Sequence, residues 1–288
     1  MHPRRAYSVP LPGGRSLDLG DRTLVMGILN VSPDSFAERA PWATPAAAVE
    51  AALAMEASGA DIIDIGGEST RPGAEPVPEA EERRRVLPVV AGAARLLRIP
   101  VSVDTYKAGV ARAAIGEGAS IVNDISGLRY DAALGEVAAS TGAALVLMHT
   151  RGRSREMYRE AVYDAVTSEV ARELAWSLQQ ARLAGVAADR TILDPGFGFA
   201  KRAEHSYRLL ASLGDLAVLD RPLLVGVSRK SFLSQALGDL PPASRDWGTA
   251  AAVTAAVLGG AHIVRVHAVA EMAQVVRVAD HLRRHAGN

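Results

Sequence analysis

The chain contains no cysteine, which excludes disulfide bonds, a thiolate nucleophile and cysteine-rich zinc sites. It also lacks net charge: 32 basic side chains balance 32 acidic ones, so bulk electrostatics offers no pull toward nucleic acid or an anionic membrane. No uncharged apolar run reaches the roughly 18 residues of a membrane helix. The longest, Gly248–Ala261, is mostly Ala, Gly and Thr. Met1–Pro12 is polar, is broken by proline and has no apolar segment of the signal-peptide kind. These absences predict a cytoplasmic protein with no nucleic-acid and no membrane partner.

Two scarcities are more selective. Only three basic residues are lysine (Lys107, Lys201 and Lys230), and only three residues are asparagine (Asn30, Asn123 and the terminal Asn288). GC-rich coding and a hot habitat both produce such a bias. Positions that keep Lys or Asn against it therefore carry extra weight.

What is present is a strict alternation. Short apolar runs at Thr23–Leu29, Ala60–Ile65, Pro100–Val103, Ala119–Val122, Ala143–Met148, Thr191–Leu193, Pro222–Val227 and Ala261–Val266 read as buried strands. Between and after them, helices are predicted over Pro45–Ser58, Pro78–Leu97, Lys107–Glu117, Asp131–Thr141, Glu160–Ala184, Ala203–Leu213, Ser244–Leu258 and Ala270–His285. The joints Gly59-Ala60, Gly118-Ala119, Gly142-Ala143 and Gly260-Ala261 repeat a glycine that ends a helix in the left-handed conformation. Eight strand–helix units predict an α/β fold: a single (β/α)8 barrel with a parallel eight-stranded core. One domain covers residues 1–288, with its core at about 16–285. An open doubly wound sheet is the alternative, but the first strand–helix loop, NVSPDSF, has none of the glycines of a dinucleotide-binding turn.

In such a barrel the site lies at the C-terminal ends of the strands. The sequence places Asn30, Asp64, Asp104, Asn123, His149, Asp194, Lys230, Arg265 and His267 there. A single polar residue after a strand is as readily an N-cap, and His149 is as readily a satisfied core histidine. A polar residue at every strand end is harder to explain so. Asp104, Asn123, Asp194 and Lys230 suit a flat heteroaromatic, with carboxylates and amide accepting from ring N–H and amino groups and lysine donating to a carbonyl. Arg265 offers a planar face and a fork for phosphate. The loop Asp194–Lys201 puts two glycines beside two of four phenylalanines, and Ser231 sits where a helix start would bind an anion. No Walker loop, Ser-His-Asp spacing or dense carboxylate cluster is visible, so a metal would be Mg²⁺ held partly by substrate phosphate.

These motifs resemble the dihydropteroate synthase family. MGILNVSPDSF (Met26–Phe36), DIGGESTRPG (Asp64–Gly73), SVDTYK (Ser102–Lys107), NDISG (Asn123–Gly127), LMH (Leu147–His149), LDPGFGFAK (Leu193–Lys201), VGVSRKS (Val225–Ser231) and RVH (Arg265–His267) occur in the family's order. The resemblance implies condensation of 6-hydroxymethyl-7,8-dihydropterin diphosphate with p-aminobenzoate, dependence on Mg²⁺, sensitivity to sulfonamides and a homodimer. It implies that Asp104, Asn123, Asp194, Lys230 and Arg265 bind the pterin, and that Asn30, Arg71, Arg265 and His267 hold the diphosphate. Asn30 would also ligate the metal, while Phe36, Thr70, Pro72, Phe199 and Ser231 would form the p-aminobenzoate site. Catalysis would fall to Asn30, Glu38, Lys230, Arg265 and His267. The first loop departs from the family's usual Ser-Asp-Gly-Gly: it reads Ala37-Glu38-Arg39-Ala40, with Glu38 in place of the aspartate. That departure motivates the alternative of a non-catalytic pterin-binding paralogue. A pterin-dependent methyltransferase on the same barrel is the other, and the GESTRPG and SRKS loops suit a diphosphate and an arylamine better.

Overall fold

The structure, a computed structural model, describes residues 4–31, 44–69, 73–153, 158–159 and 161–286. An antiparallel hairpin of β1 (Tyr7–Pro10) and β2 (Ser16–Leu19) comes first. Then follow β3 (Leu24–Asn30), α1 (Pro45–Ala57), β4 (Ile62–Gly66), α2 (Glu79–Leu96), β5 (Val101–Asp104), α3 (Ala108–Gly116), β6 (Ile121–Asp124), α4 (Ala133–Thr141), β7 (Ala144–Met148) and α5 (Val166–Leu183). The chain ends with β8 (Thr191–Asp194), α6 (Ala203–Ala211), β9 (Leu224–Val225), the short α7 (Ser234–Leu237), α8 (Asp246–Leu258), β10 (Ile263–Val266) and α9 (Val269–His285). Strands β3 to β8 pair in chain order, and β10 pairs with both β3 and β9, all in parallel. Leu193 bridges to Leu223, and Leu193 N donates to Pro222 O at 2.9 Å, which brings β8 to β9. The result is a nearly closed (β/α)8 barrel, as the alternation predicts. The four glycine joints carry positive φ of 104°, 105°, 70° and 101° at Gly59, Gly118, Gly142 and Gly260.

The pleat divides the strand residues between two cores. Met26, Ile62, Ile121, Val146, Ile192, Leu224 and Ile263 face inward and pack on Val9, Leu11, Leu17 and Leu19 of the hairpin. Val25, Ile63, Val101, Val122, Leu145, Leu193, Val225 and Val264 face outward against the helices. The hairpin stoppers the N-terminal end of the barrel. Arg4 ties it to the last helix through Asp280 and Thr23, at 3.2 and 2.7 Å.

Three elements differ from the sequence expectation. The hairpin, which begins at Tyr7 ahead of the core boundary at about residue 16, has no counterpart in the sequence reading, because two prolines and two glycines interrupt its alternation. The helix expected from Glu160 begins at Val166, because Glu169 Oε1 accepts from Asp164 N and Ala165 N at 2.8 and 2.9 Å and fixes the first turn there. The strand expected over Pro222–Val227 shrinks to Leu224–Val225: Pro222 has no N–H, and Leu223 N donates to His262 Nδ1 at 3.1 Å.

Leu19 is 2 % exposed, so Leu19→Ala should cost about 2–4 kcal/mol of stability. Urea denaturation measures this, and kcat should stay within about twofold because the hairpin lies at the end of the barrel away from the strand C-termini.

Candidate active site

Two residues beyond an inward-facing side chain, the next inward position falls at the mouth of the barrel. Ile62 is thus followed by Asp64, Ser102 by Asp104, Ile121 by Asn123, Ile192 by Asp194, and Ile263 by Arg265. These side chains meet. Arg265 Nε donates to Asp64 Oδ2 at 2.6 Å and Arg265 Nη2 to Asp104 Oδ2 at 2.7 Å. Asn123 Nδ2 donates to the same Asp64 oxygen at 2.9 Å. Asp64 Oδ1 is buried with no hydrogen-bond partner among the described residues.

Asp194 and Lys230 complete the group. A methyl on Gly226 would lie 3.9 Å from each of Asp194 Oδ2, Lys230 Nζ and Arg265 Cβ, so all three converge on one bare stretch of backbone. Lys230 Nζ donates to Phe197 O and lies 4.4 Å from the centre of the Phe199 ring. Asp194 Oδ1 accepts from Gly196 N at 2.7 Å. Asn30 closes the ring of strands: a methyl on Gly66 would lie 3.3 Å from Asp104 Cβ and 3.6 Å from Asn30 Oδ1. His267 Nδ1 and the Ser228 hydroxyl are 2.9 Å apart, and Ser228 Oγ accepts from His267 N at 3.2 Å.

Confinement shifts the proton affinities. Burial pushes the Asp104 carboxyl up to about 7; the Arg265 charge opposes this and the Asp64 carboxylate adds to it. Burial raises Asp194 as well, against the pull of Lys230. Lys230 is brought down to about 8 by burial, with Asp194 resisting.

His149 and the helix start expected at Ser231 differ from the sequence reading. His149 lies on the outward side of the pleat, with Leu145 and Leu147, and bonds Lys201 and Glu173 in the barrel wall. Ser231 opens a three-residue 3-10 turn followed by the four-residue α7, too short for a helix-end anion site; its hydroxyl lies 3.5 Å from the Tyr158 hydroxyl. Phe36, Glu38, Thr70, Arg71 and Pro72 lie outside the described residues. The sequence reading missed Arg229, whose φ of 58° turns the SRK segment and whose guanidinium pairs with Asp246 at 2.7 and 2.8 Å.

The model of the pterin binding enzyme family matches residues 26–267. The dihydropteroate synthase of a Synechocystis species is 46 % identical over 279 residues, covering 96 % of each chain. The chain belongs to the dihydropteroate synthase family. The Yersinia pestis dihydropteroate synthase, solved as a sulfonamide drug complex, superposes with a TM-score of 0.90 at 41 % identity, covering 95 % of this chain and 98 % of that one. The Burkholderia cenocepacia dihydropteroate synthase complexed with 7,8-dihydropteroate gives a TM-score of 0.87 at 41 % identity, covering 97 % and 98 %.

A dihydropteroate synthase with Asp104 held near neutrality has a stability signature. An unfolded aspartate titrates near about 3.9, whereas Asp104 titrates at about 7 in the fold. Between those values the folded chain binds more protons, so this group's contribution is largest below about pH 4 and is lost as pH rises through 7. Asp104→Asn should remove that loss: the fall in urea midpoint from pH 5 to pH 8 should be smaller in the variant than in the parent.

Proposed function

We propose that this chain joins 6-hydroxymethyl-7,8-dihydropterin diphosphate to p-aminobenzoate through the side chains gathered at the barrel mouth. The observation that carries the reading is the contact of Asp64, Asp104, Asn123 and Arg265, with Asp194 and Lys230 beside them. Asp104, Asn123 and Asp194 supply acceptors for the amino and N–H edge of a pterin, and Lys230 a donor for its carbonyl. Arg265 stacks on the ring and, with Asn30, Arg71 and His267, holds the diphosphate. Phe36, Thr70, Pro72, Phe199 and Ser231 receive the arylamine.

The C–O bond to the diphosphate breaks with its electron pair going to oxygen. The electron-poor pterin carbon is then attacked by the arylamine nitrogen, which loses a proton. The Asp194 carboxylate, desolvated and aimed inward, favours positive charge on the pterin, and Arg265 and Lys230 favour negative charge on the leaving group. Among the described residues no group of three or more His, Asp or Glu could enclose an ion. One amide oxygen at the mouth, that of Asn30, fits a Mg²⁺ that takes its other ligands from water and substrate phosphate. When bound, the ion would neutralise charge on the departing diphosphate.

Two wider assignments belong to the same proposal. No helix among the described residues is long and apolar enough to cross a membrane, and the small charged substrates suit a cytoplasmic enzyme. A homodimer face fits α8, where Trp247 is 89 % exposed and leads a stripe of exposed Ala251 and Ala255, with exposed Val278 and Leu282 on the adjoining α9. Sedimentation at micromolar concentration should give twice the chain mass, and Trp247→Glu should return it to monomer.

Mixing the protein with pterin diphosphate, p-aminobenzoate and Mg²⁺ should release diphosphate in step with dihydropteroate. Pterin binding without release would instead identify a non-catalytic paralogue. Lys230→Arg keeps the charge but changes the donor geometry; in calorimetry it should weaken pterin diphosphate at least about tenfold, about 1.4 kcal/mol.

A further inference from the structure

Lys201 is 1 % exposed and none of the roles above uses it. Its ammonium meets three acceptors: His149 Nδ1 at 2.8 Å, Gly196 O at 2.9 Å and Phe199 O at 3.1 Å. Burial lowers the proton affinity of Lys201 well below the ordinary lysine value, with Asp194 opposing, but three acceptors match the three protons of a charged lysine, and this geometry favours the ammonium. His149 in turn presents Nε2 to Glu173 Oε2 at 3.1 Å. With Nδ1 accepting, the His149 proton must sit on Nε2 and be donated to that carboxylate. A neutral lysine would reverse the ring and turn a lone pair toward Glu173. Burial, reinforced by the Lys201 charge, drops His149 to about 3, so the ring stays neutral across ordinary pH. Although burial opposes it, bonds from His149 and Arg151 hold the Glu173 carboxyl well below the usual carboxylate range. A charge chain results: Lys201 ammonium, His149 ring, Glu173 carboxylate, Arg151 guanidinium.

The chain grips one loop. Gly196 and Phe199, whose carbonyls Lys201 takes, lie between Asp194, which faces the mouth, and Ala200, a non-glycine residue at φ 46°. Gly196 is itself at φ 69°, and a methyl there would collide with the His149 carbonyl. The loop is thus held in a backbone shape that residues other than glycine adopt reluctantly. From the other side Lys230 bonds the carbonyl of Phe197. One loop is pinned between two lysines, one in the wall and one in the mouth.

We infer that Lys201 is a positioning residue, which acts through the Gly196 and Phe199 carbonyls and is itself held by His149 and Glu173, to fix the Asp194 carboxylate and the Phe199 ring for the pterin and the arylamine. The inference rests on the reading of the mouth as the synthase site. Lys201→Met removes the three donated bonds and leaves Asp194, Phe199 and Lys230 in the chain. Pterin diphosphate should bind at least tenfold more weakly by calorimetry, and KM for p-aminobenzoate should rise at least fivefold. Amide exchange should accelerate in the 194–200 segment and stay unchanged in β3–β6. Glu173→Gln, whose hydrogen-bonded link to Lys201 runs through the His149 ring, should shift the same quantities about threefold. Combined with Lys201→Met it should add little. Parent protein that does not bind pterin diphosphate would sink the reading of the site. Parent binding with both variants inside twofold of it overturns the role of Lys201 alone, as does accelerated exchange spread evenly over the barrel. If Lys201→Met does not fold, Glu173→Gln decides: a parental value for both ligands rejects the inference.

Discussion

A strand's side chains alternate between its two faces, and this constraint governs everything at the mouth. Once Ile62, Ile121, Ile192 and Ile263 are committed to the barrel interior, Asp64, Asn123, Asp194 and Arg265 have no choice of face. A slip of one residue in any strand would send its polar terminus into the helix layer and an apolar neighbour into the mouth. Apolar packing below therefore positions the polar groups above. The same rule explains His149: on the opposite parity, it joins Lys201 and Glu173 in the wall.

The electrostatic arrangement is costly without ligand. Arg265 is shared between two carboxylates, one Asp64 oxygen has no partner among the described residues, and Asp104 and Asp194 resist ionisation. Removing charges from water costs several kcal/mol per ion unless partners restore it. In the proposed function, a bound heteroaromatic with N–H groups on one edge and a carbonyl on another would supply the missing partners, which fits a mouth arranged for binding rather than for stability.

Much of this was legible in the sequence. The alternation predicts the barrel, and the strand-end polar residues that keep the inward parity are the ones that meet. Each of the three scarce lysines makes specific contacts: Lys107 bonds both Glu68 and Glu82, Lys201 donates to the Gly196 carbonyl, and Lys230 stands at the mouth. What could not be read was of two kinds. Local bonds to one carboxylate or one imidazole set the start of α5 and the shortness of β9, and no periodicity encodes them. The direction of His149, and with it the wall network, needed the parity of its strand rather than its position at a strand end. The N-terminal hairpin was obscured because two prolines and two glycines interrupt an otherwise alternating stretch.

That hairpin has a consequence for traffic. Among the described residues, Val9, Leu11, Leu17 and Leu19 close the barrel from below. In the proposed reaction the pterin therefore passes the rim to reach the strand ends, and the joined product retraces that path, because the floor is shut.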